Sequence, residues 1–433
     1  MDRKTLARAK HFFTVGILWI HGTIVACQPQ TPTWTVAQQD SLQWHYTQKL
    51  HTQILKNKAL ASQVQISQEG IRLFASAPKS EKYSAEFFLP WEDLLAYQQW
   101  LQHAPGAAEL AYPRLPSGAL PSPRFFPPPT ANLPLRGWRI ALDPGHIAGD
   151  MAMAQLEGKY LKIKMPDGKT VAVFESELNW FTARLLADAL MQDGAEVLLT
   201  RSAFGLTALD IPYQEWWATY RDSLQKAGQN LAGLTAQKAF FETFQKRDFE
   251  ARVQKINAFA PHLTLIIHYN VDAANQPWQK PTQKQESMAF VGGSFEAGEL
   301  QKPEARFHLL RLLLTAHLAE SIEVCQTVLT SIEANLQIKP VREPHQQDFL
   351  RQHALPTAAP GVYHRNLTLA RRVYGPLAYL EPLYQDHPAA LAQWQYRQLD
   401  YNGQKIPNWL AEVARAYHKA IRNWAQKKAA RRL

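Results

Sequence analysis

Trp138-Arg139-Ile140-Ala141-Leu142-Asp143-Pro144-Gly145-His146 is an apolar run that stops at a Pro-Gly turn and a histidine. A short apolar run bounded in this way reads as a strand buried on both faces, the kind found in parallel sheets covered by helices. Working outward from it, the amphipathic stretch Leu178 to Gln192 predicts a helix, and Glu196 to Thr200 a strand. Phe249 to Phe259 then reads as a helix, His262 to His268 and Met288 to Gly292 as strands, and Glu304 to Leu336 as a longer helix. Pro376 to Glu381 gives a last strand before a C-terminal helix, Asn408 to Lys428. This alternation predicts an α/β fold, a mostly parallel sheet flanked by helices.

The polar residues fall in a pattern on that frame. His146, His268 and Glu381 each end a predicted strand, and Glu177 opens the helix after the first one. In an open parallel sheet the carboxyl ends of the strands form the edge where sites are built. A catalytic zinc site needs about three protein ligands, an open position for water and a nearby carboxylate base, and His and Glu residues supply both kinds of group. Each residue also has a plainer reading. A histidine at a strand end can be a hydrogen-bonded structural residue. Glu177 suits a helix first turn through the helix dipole, and Glu381 can be an ion-pair partner of Arg371 or Arg372. Spacing alone leaves both readings open.

Four segments, taken in order, resemble the zinc-dependent N-acetylmuramoyl-L-alanine amidases of the type 3 (amidase-3) family. Ile140 to His146 looks like the family's first strand and zinc-ligand turn. Glu177-Leu178-Asn179, with the helix leading to Val197-Leu198-Leu199-Thr200-Arg201, resembles its glutamate ligand, helix and second strand. Arg252, Asn257 and Leu265-Ile266-Ile267-His268-Tyr269-Asn270 are similar to the stretch bearing the second histidine. Pro376 to Glu381 matches the strand with the catalytic glutamate. The resemblance spans about Leu135 to Trp424, less an insertion. It implies one Zn²⁺ held by His146, Glu177 and His268, with Glu381 as general base and then acid. The bond implied is the amide between N-acetylmuramic acid and L-alanine in peptidoglycan. Glu175 is a rival to Glu177, and Asn179, shortly after, favours Glu177. The chain departs from the family at Ile147-Ala148, where glycines are usual, and at Pro382 to His387, which places the difference in the substrate floor.

The rest of the chain supplies context. A basic start, the apolar run Phe12 to Ala26 and then Cys27 read as a lipoprotein signal, residues 1–26, with Cys27 lipidated and residues 27–32 a tether. The apolar run is shorter than the roughly 20 residues of a membrane span. The protein is thus expected outside the cytoplasm, anchored by lipid to a bacterial membrane. Residues 33 to about 104 read as a small α+β module of no visible chemistry, and 105–134 as a proline-rich linker before a catalytic domain at 135–433. Net charge is +10, and no nucleic-acid-binding motif accompanies it. Cys325, the only other cysteine, sits in an apolar helical stretch and reads as a buried small residue. The segment 208–246 interrupts the alternation with Tyr213, Trp216, Trp217, Tyr220, Phe240, Phe241 and Phe244. Such aromatics either pack a helix pair onto the core or form a lid or a docking place for a protein activator. The competing functions are a zinc peptidase acting on another bond and an inactive, lipid-anchored wall-binding or regulatory protein on an amidase fold.

Overall fold

The computed structural model describes residues 34–79, 84–103, 126–276, 279–342 and 347–430. The expected signal, Cys27 and the tether lie outside the described residues, as does most of the proline-rich stretch. Trp34 to Leu433 form one compact unit.

A seven-stranded sheet organises it. From edge to edge its strands are Ala354–Pro356, Val362–Arg365, Met288–Val291, Leu377–Glu381, Leu263–Ile267, Arg139–Pro144 and Glu196–Leu199. The last four run parallel to one another, while Met288–Val291 is antiparallel to Leu377–Glu381. The sheet is therefore mostly parallel, and it is covered on both faces. Ile140, Leu142, Leu263, Leu265 and Ile267 point into a core built with the helices Glu175–Gln192, His317–Leu336 and Trp409–Ala430. Ala141 and Ile266, on the opposite face, pack with Val253 and Ile256 of the helix Gln245–Phe259 and with Leu369 and Ala370. Burial on two sides is why these strands carry apolar residues at successive positions and not only at alternate ones.

Two features differ from the sequence expectation. The long helix predicted over Glu304 to Leu336 is two helices, Pro303–Leu314 and His317–Leu336, meeting at 70°. Thr315 is extended at the break, and its hydroxyl donates to the Arg311 carbonyl at 2.7 Å. The Lys49 ammonium, from the N-terminal region, donates to the carbonyls of Leu313 and Thr315 at 2.6 and 3.2 Å, satisfying the freed helix end. Further along, a hairpin of Tyr160–Lys164 and Thr170–Phe174 lies between the first strand and its following helix. Asp167-Gly168 turns it, with Gly168 in the left-handed region.

The N-terminal region pairs Val64–Ser67, Gly70–Leu73 and Phe87–Pro90 in an antiparallel sheet, flanked by the helices Val36–Lys49 and Leu94–His103. Its core residues, Trp91 and Leu101 among them, belong to the same apolar cluster as the main sheet's helices. The described end of the proline-rich stretch is docked too. Phe126 stacks on Trp138 at 5.3 Å, and the Trp138 indole donates to the Pro127 carbonyl at 3.2 Å.

Candidate metal centre

His146 follows the first strand in the left-handed conformation, φ 59°. That backbone is costly for most residues and less so for histidine. Gly145 before it is a steric requirement, since a Cβ there would stand 2.2 Å from the His268 ring. The turn is braced from below by buried arginines. Arg201 and Arg252 each donate to the Pro144 carbonyl at 3.0 Å, and Arg252 also pairs with Asp143 at 2.9 Å and Asp248 at 2.7 Å. Asp143 accepts from the Thr200 hydroxyl as well. Burial, followed by the nearby Arg252 charge, pushes Arg201 down to about 9, whereas Asp143 and Asp248 outweigh burial and raise Arg252.

The hairpin then decides which carboxylate arrives. Tyr160 pairs with Phe174, and the Glu175 amide donates to the Lys159 carbonyl at 3.3 Å, so the chain returns to the rim just as the helix begins. The helix starts at Glu175. The Glu175 carboxylate lies 3.1 Å from His146 Nε2 and 2.8 Å from His268 Nδ1, and it is 3% exposed. The donor atoms of His146, Glu175 and His268 all fall within 4.8 Å of one another. The two imidazoles meet edge to face at 4.9 Å, and His268 stacks on Tyr379 at 4.7 Å.

The structure does not bring Glu177 to the histidines. Its carboxylate takes a bidentate pair from Arg397 at 2.9 and 2.7 Å. The reason is helical: residues two apart are turned by about 200°, so Glu175 and Glu177 cannot both face the site. Asn179 lies four residues after Glu175, on the same face, and donates to the Gly145 carbonyl at 3.0 Å. The asparagine that pointed to Glu177 in the sequence thus belongs with Glu175.

Glu157 is a site residue the sequence reading missed. It accepts from His146 Nδ1 at 2.9 Å and from the Ile147 amide at 3.3 Å. A carboxylate on Nδ1 fixes the imidazole with Nε2 turned toward the other donors. The only local signal is a short helix, Met151–Glu157, bracketed by the N-cap Asp150 and by Gly158, which would have placed an acidic residue at its end.

Glu381 ends the strand beside His268, and its Oε2 is buried with no hydrogen-bond partner among the described residues. Burial, reinforced by the Glu175 charge, pushes its carboxyl up to about 8. For Glu175, burial acts upward, but His146 and His268 outweigh it and hold the carboxyl well below its usual range. Burial would lower His146, yet Glu175 and Glu157 bring it up to about 9, while burial leaves His268 lowered.

The inserted segment forms part of the same place. Tyr213, Trp216, Phe240 and Phe244 pack with Ile147, Ala148, Met153 and Ala154. Ile147 and Ala148 therefore fill an apolar contact that glycines could not. Phe240 and Phe244 also line a cleft of about 340 Å³ shared with His146, His268 and Tyr379. Core packing and cleft lining are thus done by the same rings. Cys325 is buried, and burial raises its thiol.

No family profile matches the chain, and no curated protein matches its sequence. Among solved structures it is similar to the CwlD amidase of Clostridioides difficile in complex with the GerS lipoprotein, at 13% identity and a TM-score of 0.37, covering 66% of this chain and 98% of that one. It is likewise similar to the N-acetylmuramyl-L-alanine amidase Ami1 of Mycobacterium smegmatis, at 13% identity and a TM-score of 0.37, covering 69% and 100%. A third, the amidase AmiC2 of Nostoc punctiforme, shares 13% identity with a TM-score of 0.35, covering 67% and 99%.

Proposed function

We infer that the protein is a zinc-dependent N-acetylmuramoyl-L-alanine amidase that releases stem peptides from peptidoglycan. The observation that carries this is the convergence of His146, Glu175 and His268 beside a buried, unpartnered oxygen of Glu381. Two imidazoles and one carboxylate are the donor set of a catalytic zinc site that keeps a position open. The ordered resemblance of the four segments to amidase-3 enzymes selects the bond.

In this reading His146, Glu175 and His268 hold the ion, and Glu157 orients His146 through Nδ1. Bound zinc supplies Lewis acidity to the scissile carbonyl and to a water. Glu381 takes the proton from the attacking water and returns it to the leaving L-alanine nitrogen. Cys27 carries the lipid anchor, and a protein activator, where one acts, meets the insertion, residues 208–246. Cys27→Ala should abolish incorporation of labelled fatty acid into the chain, and labelling that persists would remove that assignment.

The test is digestion of purified peptidoglycan by the soluble chain from residue 28, with and without a chelator, with products identified by mass spectrometry. Free peptides beginning at L-alanine, lost with chelator and restored by Zn²⁺, are the expected result. Peptides cut at another bond would make the protein a zinc peptidase instead. No release with zinc bound would contradict the proposal for the chain acting alone.

A further inference from the structure

The cleft beside the three donors holds a cation that the chemistry above does not use. Lys159 lines it with His146, His268 and Tyr379. Its main chain is fixed on both sides: the amide donates to the Ala154 carbonyl at 2.9 Å, and the carbonyl accepts from the Glu175 amide at 3.3 Å. The residue is therefore tied directly to Glu175, which with Glu157 is one of the two carboxylates that hold His146. Those carboxylates are already committed to histidines, and Asp248 in the same cleft is committed to Arg252. Among the described residues no carboxylate forms an ion pair with the Lys159 ammonium, although its charge is felt by Glu175 and Glu381. The rest of the lining mixes apolar side chains, Phe240, Phe244, Leu367 and Leu369, with the polar Gln245 and Asn366. A compact ammonium on a flexible stem, in a cleft whose own carboxylates are taken, suits a single carboxylate better than a planar or neutral group.

We propose that Lys159 is a specificity-determining residue whose ammonium binds a carboxylate of the substrate peptide close to the scissile amide. This rests on the amidase reading, and it narrows the substrate to stem peptides with a free acid on the residue after L-alanine. Replacing that acid by its amide removes the partner, and the ammonium then has only water to meet.

The experiment uses two probes, the γ-methylamides of N-acetylmuramoyl-L-alanyl-D-glutamate and of the corresponding D-isoglutamine compound, which differ only in whether the α-carboxyl is free. Their binding to the zinc-loaded full chain carrying Glu381→Gln, a substitution that removes turnover, is measured by calorimetry. The acid should bind about tenfold more tightly than the amide, the size of one charge-assisted contact. Lys159→Met should equalise the two, and Lys159→Arg should restore the preference. In the chain with Glu381 intact, Lys159→Met should raise KM for the acid and leave kcat unchanged. Equal affinities with Lys159 present, a preference that survives Lys159→Met, or no binding of either probe would overturn the proposal. So would an equal fall in kcat on both substrates, which would place the charge at the reacting centre. The two readings can fail separately. Discrimination without cleavage by the unmutated chain leaves Lys159 standing and removes the amidase, whereas cleavage without discrimination does the reverse.

Discussion

The rim at the carboxyl ends of the parallel strands and the N-terminal region, residues 34–103, bury their side chains for opposite ends. At the rim the buried groups are charged: Glu157, Glu175, Asp143, Arg201 and Arg252 are all buried, and the Glu381 Oε2 has no hydrogen-bond partner among the described residues. In the N-terminal region the buried groups are mostly apolar, Leu73, Leu89, Trp91 and Leu101 among them. Trp91 is fully buried, stacks on Tyr46 at 5.7 Å and donates to the Ser67 carbonyl at 3.2 Å. Charge burial of the first kind is a weak source of stability, because desolvation offsets most of the Coulombic gain. Apolar burial of the second kind stabilises by roughly 25 cal/mol per Å². The contrast separates what holds the molecule together from what the molecule is for.

Substitutions on either side can break or sharpen that contrast. The largest effect is expected from Glu381→Gln, which should lower stem-peptide release by about 10²- to 10⁴-fold while zinc content and melting temperature hold. A variant that cleaves normally would remove Glu381 from the chemistry. Trp91→Ala should do the opposite, costing about 3–5 kcal/mol in denaturant unfolding while the folded fraction keeps its zinc. Loss of zinc in parallel with stability would show the two regions to be one energetic unit. Glu157→Gln is the smallest of the three. Weakening the partner of His146 Nδ1 should lower zinc affinity by about 10- to 100-fold in a chelator competition, with little change in stability. An unchanged affinity would make Glu157 a structural residue only.

Much of this was legible in the sequence, and the parts that were not share a cause. The strands Arg139–Pro144, Leu263–Ile267 and Leu377–Glu381 stand out because burial on both faces gives them apolar residues at successive positions. The positions of His146, His268 and Glu381 follow directly from where those strands end. Glu175 did not follow, because its placement depends on the hairpin that precedes it. Asp167-Gly168 between two alternating runs was the available signal for that hairpin. Glu157 depends on a contact across eleven residues that no motif spacing encodes. The bend at Thr315 is invisible locally, since no glycine or proline marks it and its freed carbonyls are met by Lys49, far away in the chain. Local pattern reveals elements, whereas contacts between elements choose which side chain faces the site.

The most direct test is the zinc content of the purified chain and of two variants that differ by two positions, Glu175→Gln and Glu177→Gln, measured by inductively coupled plasma mass spectrometry. A centre held by His146, Glu175 and His268 predicts one zinc per chain in the unmutated protein and in Glu177→Gln, with little or none in Glu175→Gln. Zinc retained in Glu175→Gln and lost from Glu177→Gln would contradict it.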